Sequence, residues 1–200
     1  FFIFKHMYDF AKREGLIAQK YLFDYGEIRI QKDECKRKGY EIQEFRQLTK
    51  TSQNWASKTN KTFSNYDEVF YYRNILHDFL LLMGRCGFRT SECMKLRWSD
   101  IQMNNDSSKS VSIQIRKENT KVRTARKITQ TGIDKIFDRV KSYSRFTDRE
   151  DFVFSHYSDP NTSIRYKLYE NYKLLKEEVK LKHKDFNTDL DIYSIRHYFI

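Results

Sequence analysis

The sequence predicts an α+β fold that is mainly helical and contains a small antiparallel β-sheet. Apolar residues recur at helical spacing in several segments, most clearly in the stripe from Val69 to Met83. Apolar and polar residues instead alternate from Val111 to Ile115, which indicates a short strand. With one Pro and six Gly in 200 residues, the composition is that of an ordered chain rather than a low-complexity one.

The N-terminal region predicts one helix and a linker. Apolar positions near helical spacing precede the stop signal Gly15, so a helix is expected within residues 1–21. Residues 22–40 are polar and charged and are expected to form a linker. Its basic run Lys36-Arg37-Lys38 is interpreted as a run of solvated charges, or alternatively as a segment that crosses the backbone of a polyanion. A larger domain is then expected over residues 41–200.

The middle of the chain predicts two helices followed by a hairpin. The spacing of Ile42, Phe45 and Leu48 indicates an amphipathic helix within residues 42–55, and the polar stretch 52–65 indicates a loop that overlaps its end. A second helix is expected from about residue 67. Turn-forming residues 104–108 precede the strand at 111–115, residues 117–123 form a strongly basic connection, and residues 124–129 are expected to be the partner strand.

The C-terminal region predicts three more helices. Helical spacing appears over residues 133–140 and again over 164–179, with a short buried run at 152–154 between them. Asp191 is expected to be the N-cap of a final helix that carries Arg196.

The charge balance indicates a polyanionic partner. The chain has 38 Lys and Arg against 27 Asp and Glu, a formal net charge of +11, which favours nucleic acid ahead of an acidic membrane. No apolar run approaches the roughly 20 residues of a membrane span, and no signal peptide is predicted. The three cysteines, Cys35, Cys86 and Cys93, lack the paired spacing of a zinc site, and reduced thiols fit a cytosolic compartment.

Two arginine motifs stand out from this background. Gly87 permits a sharp turn, Arg89 follows at the entrance of a short helix, and Glu92 lies three residues on, where it can orient the guanidinium. A fixed planar guanidinium suits a pair of phosphate oxygens. The second motif is Tyr193-Ser194-Ile195-Arg196-His197.

These motifs resemble those of the tyrosine recombinase (phage integrase) family. Gly87-Phe88-Arg89-Thr90-Ser91-Glu92, continuing into Leu96-Arg97-Trp98-Ser99-Asp100-Ile101, resembles its first box, and residues 193–197 resemble its second. The resemblance covers residues from about 66 to the end. It implies the family's catalytic core fold and its reaction, the cleavage and rejoining of double-stranded DNA through a 3′-phosphotyrosyl link without a cofactor. It also implies a homotetramer on DNA. The protein would be cytoplasmic, associated with DNA, and of bacterial or phage origin. The resemblance further implies that residues 1–21 are the last helix of a core-binding domain.

The resemblance assigns roles residue by residue. Arg89 and Arg196 would hold the scissile phosphate, with Glu92 and His197 as accessory residues. Lys121 would be the general acid, because it lies five residues before the arginine of Arg126-Lys127-Ile128, and Lys117 is the competing choice. Tyr193 stands where the family more often has His, and it would be a catalytic residue whose hydroxyl donates to the scissile phosphate or orients Arg196. The alternative interpretation is an aromatic residue packed in the core. The expected DNA contacts are Lys117, Arg123 and Arg126.

The attacking tyrosine is expected beyond residue 200. In the family it follows the second arginine by several helical turns, and Tyr198 is excluded because it lies on another face of the helix. The first residue is not Met, so both ends are expected to be incomplete. Three other interpretations remain: a relative that binds DNA without cleaving it, a less favoured type IB topoisomerase, and an unrelated basic helical module.

Overall fold

The computed structural model describes residues 2–17, 38–57, 66–104, 107, 109–120 and 123–199, in two units that divide after Lys36. In the first unit, helix α1 (Phe2–Arg13) is confirmed, and Gly15 follows it with a φ of 69°. That left-handed conformation is one glycine adopts without steric cost. The expected linker lies mostly outside the described residues.

The second unit is built around one long buried helix. Its helices are α2 (Ile42–Ser57), α3 (Tyr66–Cys86), α4 (Thr90–Met94), α5 (Asp134–Tyr143), α6 (Arg165–Lys182) and α7 (Ser194–Phe199). Helix α3 packs against α2, α5, α6 and α7. Its residues Ile75, Leu76, Phe79 and Leu80 have no exposed surface, which confirms the predicted apolar stripe as core.

Helix α2 is longer than the sequence predicted. The expected loop from Ser52 is wrong for its first six residues, because α2 continues to Ser57 and buries Trp55 against the core. Tertiary packing here outweighs the modest helix propensity of the polar residues. Gly84 on α3 allows the close contact of the two helices, since a Cβ there would lie 2.4 Å from the ring of Phe45.

The sheet has three antiparallel strands in the order β1-β2-β3. They are β1 (Ile101–Met103), β2 (Ser110–Ile115) and β3 (Arg126–Thr131), and Ile115 pairs with Arg126 at the end of the hairpin. Strand β1 was not predicted, because three residues are too few to show alternation. Strand β3 begins two residues later than expected because the Thr120 hydroxyl accepts a hydrogen bond from the Thr124 N–H at 3.0 Å, which keeps that residue in the turn.

The C-terminal segment packs on the second part of the first motif, which begins at Leu96. The Val153 N–H donates to the Leu96 carbonyl at 2.8 Å, and both Val153 and Phe154 are fully buried. Asp191 caps the final turn as predicted, because its Oδ1 accepts a 2.8 Å hydrogen bond from the Ser194 N–H. The α+β prediction is therefore confirmed. None of the helices in the described ranges is long and apolar enough to cross a membrane.

Candidate active site

The turn at Gly87 places Arg89 at the beginning of α4. Gly87 has a φ of 61°, and its N–H donates to the Met83 carbonyl at 2.9 Å, which ends α3. Phe88 is fully buried and anchors the turn. Arg89 then adopts an extended backbone, with φ −71° and ψ 145°, immediately before α4. Its side chain is 28% exposed, so solvent or a ligand can reach the guanidinium.

Glu92 is a fully buried carboxylate with three donors. Its Oε2 accepts from the Arg89 N–H at 2.9 Å, and its Oε1 accepts from Arg89 Nη1 at 2.7 Å. Arg126 Nη2 also donates to Oε2, at 2.8 Å. Burying an ionised carboxylate is unfavourable unless it is paired and hydrogen-bonded. Glu92 meets both conditions, and it holds Arg89 by the side chain and the backbone together.

Arg126 belongs to this cluster, which the sequence did not indicate. It is the first residue of β3 and lies 34 positions after Glu92 in the chain, so only the folded chain brings the two side chains together. Its Nε is buried and has no hydrogen-bond partner within the described part of the chain. The expected DNA contact remains a prediction. No local pattern in the sequence indicates this ion pair, because it joins residues 34 positions apart.

Arg196 reaches the same turn from the other end of the chain. Its Nη1 donates to the Gly87 carbonyl at 2.6 Å, across 109 positions of sequence. Its side chain lies on α7, whose first turn Asp191 caps. The same turn therefore carries Arg89, two residues after Gly87, and accepts a hydrogen bond from Arg196. The spacing of the motifs could not have indicated the Gly87 carbonyl as the point of attachment.

Tyr193 and His197 lie beside the two arginines. Their rings meet edge to face with centroids 5.4 Å apart. Tyr193 precedes α7, and its carbonyl accepts from the Arg196 N–H at 3.1 Å. The buried Nε2 of His197 has no hydrogen-bond partner among the residues that the structure describes. The backbone of His197 packs closely on Gly39, where a Cβ would lie 2.9 Å from the His197 carbonyl carbon.

A cleft of about 520 Å³ opens next to Arg89. Tyr193 and Tyr169 contribute aromatic surface to its lining, and Lys95 and Arg165 contribute positive charge. The sequence did not indicate Lys95 or Arg165, because an isolated cation carries no specific signal. The cleft combines stacking surface with cations, as sites for nucleic acid commonly do.

The hairpin turn carries the remaining predicted residues. Lys117 and Arg123 are both exposed, and Arg123 has a φ of 51°. The Thr120 hydroxyl is within hydrogen-bond distance of the Lys117 carbonyl at 3.0 Å and the Thr124 carbonyl at 3.1 Å, so it can donate to either side of the turn. Lys121, the predicted general acid, lies outside the described residues.

The end of the first motif is structural. Asp100 Oδ2 accepts from the Arg97 N–H at 3.0 Å, and its Oδ1 accepts from Arg116 Nε at 2.6 Å. This hydrogen bond raises the pKa of Arg116. Arg116 also donates to the Ser99 hydroxyl at 2.8 Å. The cluster fixes the end of β2, and with it the base of the hairpin, to the segment that follows α4.

The comparisons with known proteins agree with the motifs. A model of the phage integrase family matches residues 41–200. The chain belongs to the phage integrase family. A search of curated proteins finds no match. Within the described ranges, His, Cys, Asp and Glu side chains form no group of three or more that could hold a metal ion.

Among solved structures, this family member resembles the XerH site-specific recombinase. The post-cleavage complex with a palindromic difH substrate matches with a TM-score of 0.54 and 12% identity, over 81% of this chain and 40% of XerH. The pre-cleavage complex with difH matches with a TM-score of 0.54 and 13% identity, over 80% and 41%. The chain thus spans about two fifths of XerH, and the likeness shows the tyrosine recombinase catalytic fold.

Proposed function

We propose that the protein is a site-specific DNA recombinase of the integrase type. Arg89 and Arg196 bind the non-bridging oxygens of the scissile phosphate and stabilise the charge that develops on them as the phosphorus becomes five-coordinate. A tyrosine hydroxyl gives its proton to water and attacks the phosphorus. A bond forms between the tyrosine oxygen and phosphorus, and the bond to the 5′ oxygen breaks, which leaves a 3′-phosphotyrosyl link.

The leaving 5′ oxygen takes up a proton from Lys121 on the hairpin turn. Rejoining reverses these steps, when the 5′ hydroxyl of a partner strand attacks the phosphotyrosyl link and the tyrosine recovers its proton. We propose that this tyrosine lies where the family has it. Its family position is C-terminal to the second arginine motif.

One observation supports this function above the others. Arg89 follows Gly87 by two residues, and the guanidinium of Arg196, from a motif far along the chain, donates to the Gly87 carbonyl. Burial of Glu92 restricts the orientation of Arg89, as electrostatic preorganisation requires. A purely solvated charge pair would need neither the buried carboxylate nor the second arginine.

Double-stranded DNA is the proposed partner, and a homotetramer on DNA is the proposed assembly. The net charge of +11 supports a polyanion, and the similar XerH structures are complexes with difH. We further propose that residues 1–21 end a core-binding domain, that 22–40 link it to the catalytic domain at 41–200, and that the protein is cytoplasmic and associated with DNA.

A nicked suicide substrate tests the activity in the complete gene product. A strand that loses a short 3′ fragment on cleavage cannot be religated, so a covalent protein–DNA adduct accumulates. We expect the adduct with the parent and a loss of roughly a hundredfold or more in rate for Arg89→Lys, because charge is retained and the planar guanidinium is lost. DNA affinity should change by less than threefold.

Arg85→Lys is the matched control. Arg85 is exposed on α3, four residues before Arg89, and the same substitution there should leave the cleavage rate unchanged. Normal cleavage by Arg89→Lys would contradict the role of that guanidinium. DNA binding without any adduct from the parent would support the alternative, a relative that binds DNA and does not cleave it.

A further inference from the structure

Two guanidiniums share one buried carboxylate in this site. Arg89 Nη1 lies 2.7 Å from Glu92 Oε1, and Arg126 Nη2 lies 2.8 Å from Oε2. The three side chains together keep one net positive charge. Each oxygen of Glu92 therefore has a different arginine side chain, and if either side chain rotates away, the fully buried carboxylate loses one of its three donors and a balancing charge.

The Nε atom of Arg126 faces the protein interior rather than open solvent. That nitrogen is buried, while 38% of the side chain remains exposed. A phosphate outside the protein could not reach Nε without movement of the side chain. The contact that the structure gives Arg126 is the one with Glu92, and this contact has a direct consequence for Arg89.

Arg126 also terminates the hairpin turn. It pairs with Ile115 across the sheet and opens β3, directly after the turn that Thr120 closes. A shift of the turn along the strand would therefore pull on the Arg126–Glu92 pair. The side chain of Arg126 therefore connects Arg89, the proposed phosphate-binding residue, to the hairpin turn that carries Lys117.

We propose that Arg126 is a positioning residue: by holding the second oxygen of Glu92, it fixes the guanidinium of Arg89 and sets the hairpin turn relative to it. The effect on cleavage rests on the proposed function, whereas the effect on Arg89 does not. Arg126 does not need to touch DNA for this role.

Side-chain NMR of the 200-residue chain tests the effect on Arg89 without DNA. With ¹⁵N-labelled arginine, the parent should show separate Nη resonances for Arg89, because its bond to Glu92 slows rotation of the guanidinium. Arg126→Gln should merge or broaden them. Lys127→Gln removes the same charge from the exposed neighbouring position of β3 and should leave them separate. Unchanged Arg89 resonances in Arg126→Gln would overturn the proposal.

Arg126→Met provides the same measurement if Arg126→Gln does not fold, since it fills a similar volume without a donor. A double-mutant cycle adds a second criterion. If Arg126 acts through Glu92, Arg126→Gln in a Glu92→Gln background should cause no further change in the Arg89 resonances. Additive changes would show an independent action and would also overturn the proposal.

Single-turnover cleavage in the complete gene product gives the functional readout. At saturating DNA, Arg126→Gln should lower the rate about a hundredfold, the size of effect expected when a catalytic group is misplaced by about 1 Å. Lys127→Gln should stay within twofold. The salt dependence of DNA binding should be the same for Arg126→Gln and the parent.

A different pattern would identify Arg126 as a phosphate contact instead. The salt slope would then fall by about one, and the rate at saturating DNA would be normal. That result contradicts the proposal. If the parent cleaves no DNA at all, the proposed function fails, and the NMR comparison still decides whether Arg126 positions Arg89.

Discussion

We propose that the Tyr193 hydroxyl acts on a phosphate held by Arg89. Both residues line the same cleft, and the ring of Tyr193 also packs on His197. Tyr193→Phe separates a catalytic hydroxyl from a packed ring, because only the hydroxyl is removed. A hydrogen bond to a charged group is worth about 1.5–3 kcal/mol, so the cleavage rate should fall roughly ten- to a hundredfold.

The free energy of unfolding of Tyr193→Phe should match that of the parent within about 0.5 kcal/mol. Tyr166→Phe is the control, because Tyr166 is 75% exposed on α6 and should affect neither quantity. Tyr193→His should retain activity and acquire a pH dependence near 6.5, the usual imidazole pKa. A parental cleavage rate for Tyr193→Phe would assign the residue to packing alone.

The choice between Lys121 and Lys117 as general acid is a second single-residue question. A DNA substrate with sulfur at the 5′ bridging position has a leaving group that needs no proton. Lys121→Ala should therefore cleave normal DNA slowly and the sulfur substrate at nearly the parental rate. Lys117→Ala, the control on the same turn, should show no such rescue. A large defect rescued by sulfur in Lys117→Ala instead would reverse the assignment.

Sequence predicted individual residues well where the signal is local. Arg89 and Glu92 are three positions apart, so helical geometry alone indicates their pairing, and the structure places them 2.7 Å apart. The contacts of Arg126 with Glu92 and of Arg196 with Gly87 span 34 and 109 positions. Only the folded chain determines such contacts, because each depends on how the hairpin and α7 pack on the end of α3.

Helix α7 depends on the close approach of Gly39 to its backbone. A Cβ at Gly39 would lie 2.9 Å from both the carbonyl carbon and the Cβ of His197. Since an added methyl group would force the backbone of α7 or of residue 39 to shift, Gly39→Ala should lower the free energy of unfolding by about 1–3 kcal/mol, the usual cost of overpacking. It should also change the Nη1 resonance of Arg196, whose bond to Gly87 depends on the position of α7.

Urea denaturation and ¹⁵N-arginine spectra measure these two effects. Lys38→Ala is the control, because Lys38 is exposed and precedes Gly39 directly. Parental stability together with an unchanged Arg196 resonance in Gly39→Ala would show that α7 tolerates the additional methyl group. The sequence predicted only a linker at residue 39, since contact with a residue near the other end of the chain has no local signature.

The pairing of α2 with α3 makes stability sensitive to acid. His77 Nδ1 lies 2.8 Å from the Ser52 hydroxyl, which also lies 2.8 Å from the Thr49 carbonyl. If the one hydroxyl proton goes to that carbonyl, His77 donates through Nδ1. Burial, together with the nearby Arg139 charge, lowers the pKa of His77 from its usual 6.5 to about 4. The folded state therefore favours the neutral ring.

The sign of the pH effect follows from that shift. Below pH 6.5 the unfolded chain takes up a proton that folded His77 does not, so stability falls as the pH drops from 6.5 towards 4. The loss between pH 7 and pH 4 should be about 3 kcal/mol. His77→Gln should lack this component. Burial raises the pKa of neighbouring Asp78. This shift favours the folded state as the pH falls, and it does so equally in the parent and in His77→Gln. Equal pH profiles in urea denaturation would contradict the assignment to His77.

Across the whole molecule, charge should govern affinity for DNA while geometry governs cleavage. The net charge is +11. Arg89, Lys95 and Arg165 line the cleft, and the proposed function adds Arg196, Lys117 and Arg123 as contacts to phosphates. If each neutralises one phosphate, affinity should fall roughly a thousandfold between 50 and 200 mM salt, with low sequence preference. Fluorescence anisotropy of a labelled duplex with the 200-residue chain measures the slope.

Two double variants separate local contacts from overall charge. Lys95→Gln with Arg165→Gln removes two cations at the cleft, and the logarithmic salt slope should become shallower by about two. Lys173→Gln with Lys182→Gln removes the same charge from exposed positions of α6 that do not line the cleft, and its slope should equal that of the parent. Equal losses in both pairs would mean that overall charge alone attracts DNA and that the cleft beside Arg89 is not where the backbone lies.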